Sequence, residues 1–206
     1  MKRIQGLYAV TPDEADTAKL TAQVRAALAG GARVVQYRNK IVDAVTRLAQ
    51  AQALAAACRE HDALFIVNDD VALGLAVDAD GVHLGREDGS IAEARAKLGR
   101  NKFLGASCYR ALENAERALA EGADHVAFGS FFQSTVKPSA VRSPLSMLTE
   151  AKQRFNVPIV AIGGITPVNA PQLIEAGADA LAVITALFGQ PDVTAAAREF
   201  KGLFGE

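Results

Sequence analysis

In the stretch VVQYRNK, residues 34 to 40, Val34 and Val35 begin as a buried strand does, and then Gln36, Arg38 and Lys40 follow at alternate positions. Alternate residues of an extended chain point the same way. An amide, a guanidinium and an ammonium therefore share a face that a half-buried strand normally gives to apolar groups. Further along, FIVND supplies Asn68 and Asp69, and DGVHLGRED supplies Asp88. Cations and carboxylates brought to one cleft suit a diphosphate carrying Mg²⁺, because magnesium takes one or two carboxylates together with phosphate oxygens. The competing explanation is a set of surface ion pairs, each worth about 0–1 kcal/mol. That explanation is adopted for Asp70, Arg86 and Glu87, since acidic residues at a helix start cap it or favour its dipole.

Such residues act together only if the elements carrying them converge. Apolar, β-rich runs at 3–11, 33–38, 64–69, 80–85, 102–107, 124–130, 157–164 and 179–185 alternate with Ala-rich helical segments such as AKLTAQVRAALAGG and AVTRLAQAQALAAACREH. This alternation predicts parallel strands joined by helical crossovers. The phrases AGGARVVQY, VDADGVHLG, EGADHVAFG and AGADALAVI are variants of one another, with matching alanines at 32, 79, 123 and 178. Their spacing of 47, 44 and 55 residues suits two strand–helix units per repeat, hence eight strands. An open doubly wound sheet and a solenoid are the competitors. Eight near-equal units without a long interruption favour an α/β fold of one (β/α)8 TIM barrel, with outer helices, as a single domain over residues 1–206.

The composition excludes several classes. A formal charge of -1 gives no reason to seek nucleic acid or an anionic membrane. Cys58 and Cys108 are too few for a disulfide framework, and His61, His83 and His125 make no zinc pattern. No apolar run approaches the roughly 18 residues of a membrane span, and the N-terminus reads as a strand. A cytoplasmic, soluble protein is expected, with the oligomeric state, a homodimer included, left open.

In barrels of this kind the active site lies at the C-terminal ends of the strands, and polar residues gather there. The second strand ends in Gln36, Arg38 and Lys40, the third in Asn68, Asp69 and Asp70, the fourth in Asp88 and its neighbours, and the fifth in Ser107. The sixth leads into Ser134, Thr135 and Lys137, the seventh into Gly163 and Gly164, and the eighth into Thr185. A Gly-Gly pair after the seventh strand lets backbone N–H groups approach a phosphate, although a tight turn explains it as well. His83 alternates with Val82 and Leu84 and is expected to pack inside the barrel. Cys108 and Tyr109 follow Ser107 closely enough to line a pocket.

Taken together, GLYAVT, VVQYRNK, FIVND, ADGVHLGRED, GAS, FGSFF…K, VAIGGIT and GADALAVITA resemble the thiamine phosphate synthase family over essentially the whole chain. The resemblance implies an enzyme joining a hydroxymethylpyrimidine diphosphate to a thiazole phosphate, with Mg²⁺ assisting release of diphosphate. It places the pyrimidine diphosphate against Gln36, Arg38, Lys40, Asn68, Ser107 and Lys137, with Arg38, Lys40, Lys137 and Ser107 acting in catalysis. Asp69 and Asp88 become the metal ligands. The thiazole phosphate falls to Ser134, Thr135, Val136, Gly164, Ile184 and Thr185. Three positions depart from the family pattern. Val136 stands for a hydroxyl residue, Tyr109 for a frequent His, and Thr185 for a common Ser. A thiazole tautomerase of the same fold is expected to use a His near 109 and to lack the full charged set. A non-catalytic sensor of thiamine precursors would not need both aspartates, and a barrel isomerase would need an acid–base pair that is not evident.

Overall fold

The computed structural model describes residues 3–133 and 142–205. Eight parallel strands close into a barrel in sequence order, with the last pairing back on the first. They are β1 (Gly6–Val10), β2 (Val34–Tyr37), β3 (Leu64–Asn68), β4 (Gly81–Leu84), β5 (Phe103–Tyr109), β6 (His125–Gly129), β7 (Ile159–Ile162) and β8 (Ala180–Val183). The crossovers carry α1 (Thr17–Ala29), α2 (Ala44–Glu60), α3 (Val71–Ala76), α4 (Ile91–Leu98), α5 (Leu112–Ala120), α6 (Ser146–Arg154) and α7 (Ala170–Glu175). A short α8 (Thr185–Phe188) follows β8 directly, and α9 (Val193–Gly202) completes the ring. The expected (β/α)8 barrel is therefore found. Every strand except β5 lies within the run expected for it; β5 continues beyond Ser107 to Tyr109.

The repeated phrase has a physical basis. Ala32, Ala79, Ala123 and Ala178 each donate a backbone N–H to the carbonyl five residues earlier, at Ala27, Gly74, Ala118 and Leu173. The residue before each has a positive φ, as at Gly31, Asp78, Gly122 and Gly177. Both features define a helix stop of the Schellman type, and each stop feeds an even-numbered strand. After three of these four stops the next residue is an aspartate that clasps the strand before it. Asp80 Oδ2 accepts from Phe65 N of β3, Asp124 Oδ2 from Leu104 N of β5, and Asp179 Oδ2 from Ile159 N of β7, at 2.7–2.8 Å. Arg95 and Lys152 in turn hold Asp124 and Asp179. All of this lies at the N-terminal end of the strands, the barrel floor.

Pleat alternation divides the core in two. Leu7, Val35, Phe65, Val82, Leu104, Val126, Ala161 and Leu181 face outward into an apolar layer under the helices. Tyr8, Val34, Ile66, Val160, Ala180 and Ala182 fill the interior, with Phe103 packed against them. At about 25 cal/mol per Å² of apolar surface removed from water, these two layers supply the main drive to fold. The same alternation settles the residues after Ser107. Cys108 points outward into the apolar layer and is 1 % exposed, with burial pushing its thiol up to about 12. It cannot line a pocket at the barrel mouth, contrary to expectation, because one residue of advance along a strand reverses the face.

Candidate active site

The C-terminal mouth is assembled from loops held by local hydrogen bonds. Gln36 does face the barrel interior, where it is buried and donates through Nε2 to Tyr8 Oη at 2.9 Å. Burial raises the Tyr8 phenol well above its ordinary value, opposed by this bond. Arg38 and Lys40 lie beyond the end of β2 rather than on it. Thr11 Oγ1 accepts from Arg38 N and donates to Arg38 O, both at 2.8 Å, which ends the strand pairing there. Asp13 then receives the Arg38 guanidinium at 3.1 and 3.2 Å and the Lys40 backbone N–H at 2.8 Å. Asn39, between the two cations, turns the other way, toward α2, and is buried. Its amide donates to Glu14 O and to Gln50 Oε1, and Gln50 also takes the Tyr37 hydroxyl.

Asn68 ends β3, and Asp69 follows it in the left-handed region at φ 65°, a conformation that a short polar side chain tolerates better than most. Asp69 N donates to His83 O at 2.8 Å, which fixes this turn to β4. Asp70 caps α3 by accepting from Leu73 N, as expected. The cap of α4 is Ser90 rather than Glu87. Arg86 lies over the Tyr109 ring, 5.1 Å from its centroid. Asp88 accepts from Gly85 N at 2.8 Å, and its carboxylate comes within hydrogen-bonding reach of Asp69. Burial first, and then this neighbour, lift the Asp69 carboxyl to about 6, while Lys40 pulls it back. Arg38, Lys40, Asn68, Asp69 and Asp88 line one cleft of about 600 Å³.

Two carboxyls that face each other at hydrogen-bonding distance repel unless a proton or a cation lies between them. A hard divalent cation fits this donor set. Among the described residues no group of three or more His, Cys, Asp or Glu forms a metal cage. A ligand shell completed by phosphate oxygens and water, the usual arrangement for magnesium, requires no such cage.

Ser107 faces inward on β5, with its Oγ 2.9 Å from His83 Nε2. His83 is indeed packed inside the barrel, but it also holds a residue of the site. Across the mouth, Gly163 and Gly164 follow β7 with φ of 106° and 65°. A Cβ on Gly164 would lie 2.3 Å from Gln133 O, so the tight turn is present and is packed against the loop that follows β6. Ile184 and Thr185 follow β8, the neighbour of β7. Ser134, Thr135, Val136 and Lys137 lie outside the described residues.

Sequence reasoning missed Thr11 and Asp13. Both stand where β1 gives way to its loop, the same place that revealed the other site residues, and TPD at the end of the first run was the available signal. Tyr8 was also missed, because a tyrosine in an apolar strand carries no mark of its hydrogen bond.

A family profile described as Thiamine monophosphate synthase matches residues 7–187. The chain belongs to the thiamine monophosphate synthase family. The thiamine-phosphate synthase of Chromobacterium violaceum is 56% identical over 203 residues, covering 98% of each chain. That of Thiobacillus denitrificans is 54% identical over 199 residues, covering 97% of this chain and 94% of its own. Among solved structures, thiamine phosphate pyrophosphorylase from Pyrococcus furiosus superposes with a TM-score of 0.87 at 37% identity, covering 98% of this chain and 96% of that one. The family resemblance read from the strand ends is borne out, and membership makes this chain an enzyme. Among the described residues no helix is long and apolar enough to cross a membrane.

Proposed function

We propose that the protein joins 4-amino-2-methyl-5-hydroxymethylpyrimidine diphosphate to 4-methyl-5-(2-phosphoethyl)thiazole, giving thiamine phosphate and diphosphate, as a single-domain cytoplasmic enzyme. The observation that carries this reading is the cleft shared by Arg38, Lys40, Asn68, Asp69 and Asp88. It combines fixed positive charge with a carboxylate pair that calls for a cation.

In this reading the pyrimidine diphosphate lies against Gln36, Arg38, Lys40, Asn68, Ser107 and Lys137. Asp69 and Asp88 hold Mg²⁺, which when bound neutralises charge on the diphosphate and so eases its departure. As the carbon–oxygen bond breaks, negative charge grows on the leaving oxygens. Arg38 and Lys40, pre-aligned by Asp13, stabilise that state more than the ground state. No general base is required, because the thiazole nitrogen attacks the pyrimidine carbon directly. Gly164, Ile184 and Thr185, with Ser134, Thr135 and Val136, receive the thiazole phosphate. Small phosphorylated molecules are then the partners, with neither nucleic acid nor membrane involved. A tautomerase reading is disfavoured, since Tyr109 stands where that activity needs His and the charged set is complete.

The deciding experiment is product formation by purified protein from the two phosphorylated precursors, with and without EDTA. Turnover with Mg²⁺ and none with chelator is expected. Full turnover in chelator removes the metal assignment, and no turnover under any condition removes the reading.

A further inference from the structure

Strands β4, β5 and β6 place His83, Gly105 and His125 side by side, since His83 is in register with Gly105 and Gly105 with His125. With no side chain on Gly105, nothing separates the two imidazoles. A Cβ there would lie 2.4 Å from His83 Nδ1 and 2.3 Å from His125 Nε2, so both nitrogens point into the same space. The ring centroids are 5.6 Å apart. The rings are 6 % and 0 % exposed, and neither His83 Nδ1 nor either nitrogen of His125 has a hydrogen-bond partner. The remaining nitrogen, His83 Nε2, is the one at Ser107 Oγ. Tyr8 also faces His125, with centroids 6.4 Å apart, and its hydroxyl is engaged by Gln36.

A neutral imidazole has one donor and one acceptor. If His83 carries its proton on Nδ1, then Nε2 must accept from Ser107. The serine proton then turns toward His83, and only oxygen lone pairs are left for a phosphate, which repels an anion. If His83 carries its proton on Nε2, that N–H donates to Ser107 and the serine proton is free to donate to a phosphate oxygen. The second state requires a donor at Nδ1, and the group facing Nδ1 is His125. Leaving those buried nitrogens unpaired would cost about 1–3 kcal/mol each, so pairing is favoured on both counts.

We propose that His125 is a positioning residue. Its Nε2–H is donated to His83 Nδ1 through one enclosed water, which sets the His83 tautomer and aims the Ser107 hydroxyl at the anionic substrate. This inference rests on the assignment of Ser107 to the pyrimidine diphosphate.

Two measurements test it. In the native protein, ¹⁵N shifts of the imidazoles report each tautomer without any turnover. His83 and His125 are both expected to be protonated at Nε2, and a His83 protonated at Nδ1 overturns the proposal. In a double-mutant cycle, His125→Phe is expected to lower kcat about tenfold when Ser107 is present, the scale of one hydrogen bond. With Ser107→Ala the same substitution is expected to change kcat less than about twofold, because coupled residues do not add. Equal losses in both backgrounds mean a packing role and overturn it. Should His125→Phe fail to fold, the native tautomers still decide. Native activity in Ser107→Ala alone would remove the assignment of Ser107, and with it the role given to His125, while the native shifts still report whether the pairing of the two rings exists.

Discussion

The mouth of the barrel has two unlike arcs. From β2 to β5 it presents side chains, with Gln36, Arg38, Lys40, Asp69, Asp88 and Ser107 anchored by named neighbours and Asn68 beside them. From β7 to β8 the described residues present mostly backbone, with Gly163 and Gly164 in left-handed conformations and Ile184 and Thr185 beside them. The first arc suits a group whose charge changes during reaction, since preorganised charges lower the barrier only where charge develops. The second suits a phosphate that serves as a handle, because its charge is the same before and after. Interactions of that kind tighten binding without raising kcat. One arc is therefore expected to control kcat and the other KM.

The strongest way to break this contrast is within the first arc. Removing the carboxylate pair with Asp69→Ala and Asp88→Ala is expected to lower kcat at least about 100-fold and to abolish the response to Mg²⁺, and Arg38→Ala to cost at least about 2 kcal/mol in kcat/KM. Steady-state kinetics across a Mg²⁺ series measures both. An unchanged kcat would dissolve the distinction between the arcs.

A pH titration of stability sharpens it, because imidazoles lie beneath the charged arc. Burial holds His83 at about 4 and His125 at about 3, the latter also depressed by its neighbour, against an ordinary 6.5. Both rings stay neutral in the fold, whereas the unfolded chain gains protons below 6.5. Their stabilisation is therefore complete above pH 6.5 and declines as pH falls toward 4, by about 3 kcal/mol for each ring and on the order of 6 in total. Asp69 works in the opposite sense. Its folded carboxyl titrates at about 6 rather than 3.8, so the stability it contributes at low pH is lost as pH rises through 6. Two fully buried rings outweigh one half-buried carboxyl. Chemical denaturation between pH 7 and 4 is expected to show the net loss, and a flat profile would contradict it.

Within the second arc, Gly164→Ala forces a Cβ toward Gln133 O at a φ that alanine resists. KM for the thiazole phosphate is expected to rise about tenfold, with kcat changed less than about twofold, by the argument for uniform binding. The smallest effect is expected at Asp13, which touches no substrate. Asp13→Asn loosens the Arg38–Lys40 loop and is expected to lower kcat about threefold with KM little changed, the value of a partly exposed pair.

What the sequence disclosed follows the same division. Parallel strands bury both faces, so a polar residue at a strand end stands out against apolar runs, and Gln36, Asn68, Asp69 and Ser107 were legible for that reason. The barrel itself was legible because the helix stops before the even strands share one geometry and therefore one phrase. Relations across the barrel were not legible. Asp13 meets Arg38 across 25 residues of chain, and His125 meets His83 only because Gly105 stands between them. Cys108 was placed on the wrong face although the pleat period was available, because the end of β5 was set two residues early.

The clasps at the barrel floor lie at the opposite end of the strands from all of this chemistry. Asp179 joins β7 to β8 through a backbone N–H and a lysine, and weakening it leaves the mouth untouched. Such positions favour conditional variants. An Asp179→Asn enzyme is expected to turn over normally in the cold and to lose activity abruptly on warming, which would give a genetic handle on thiamine synthesis without altering a single residue that meets a substrate.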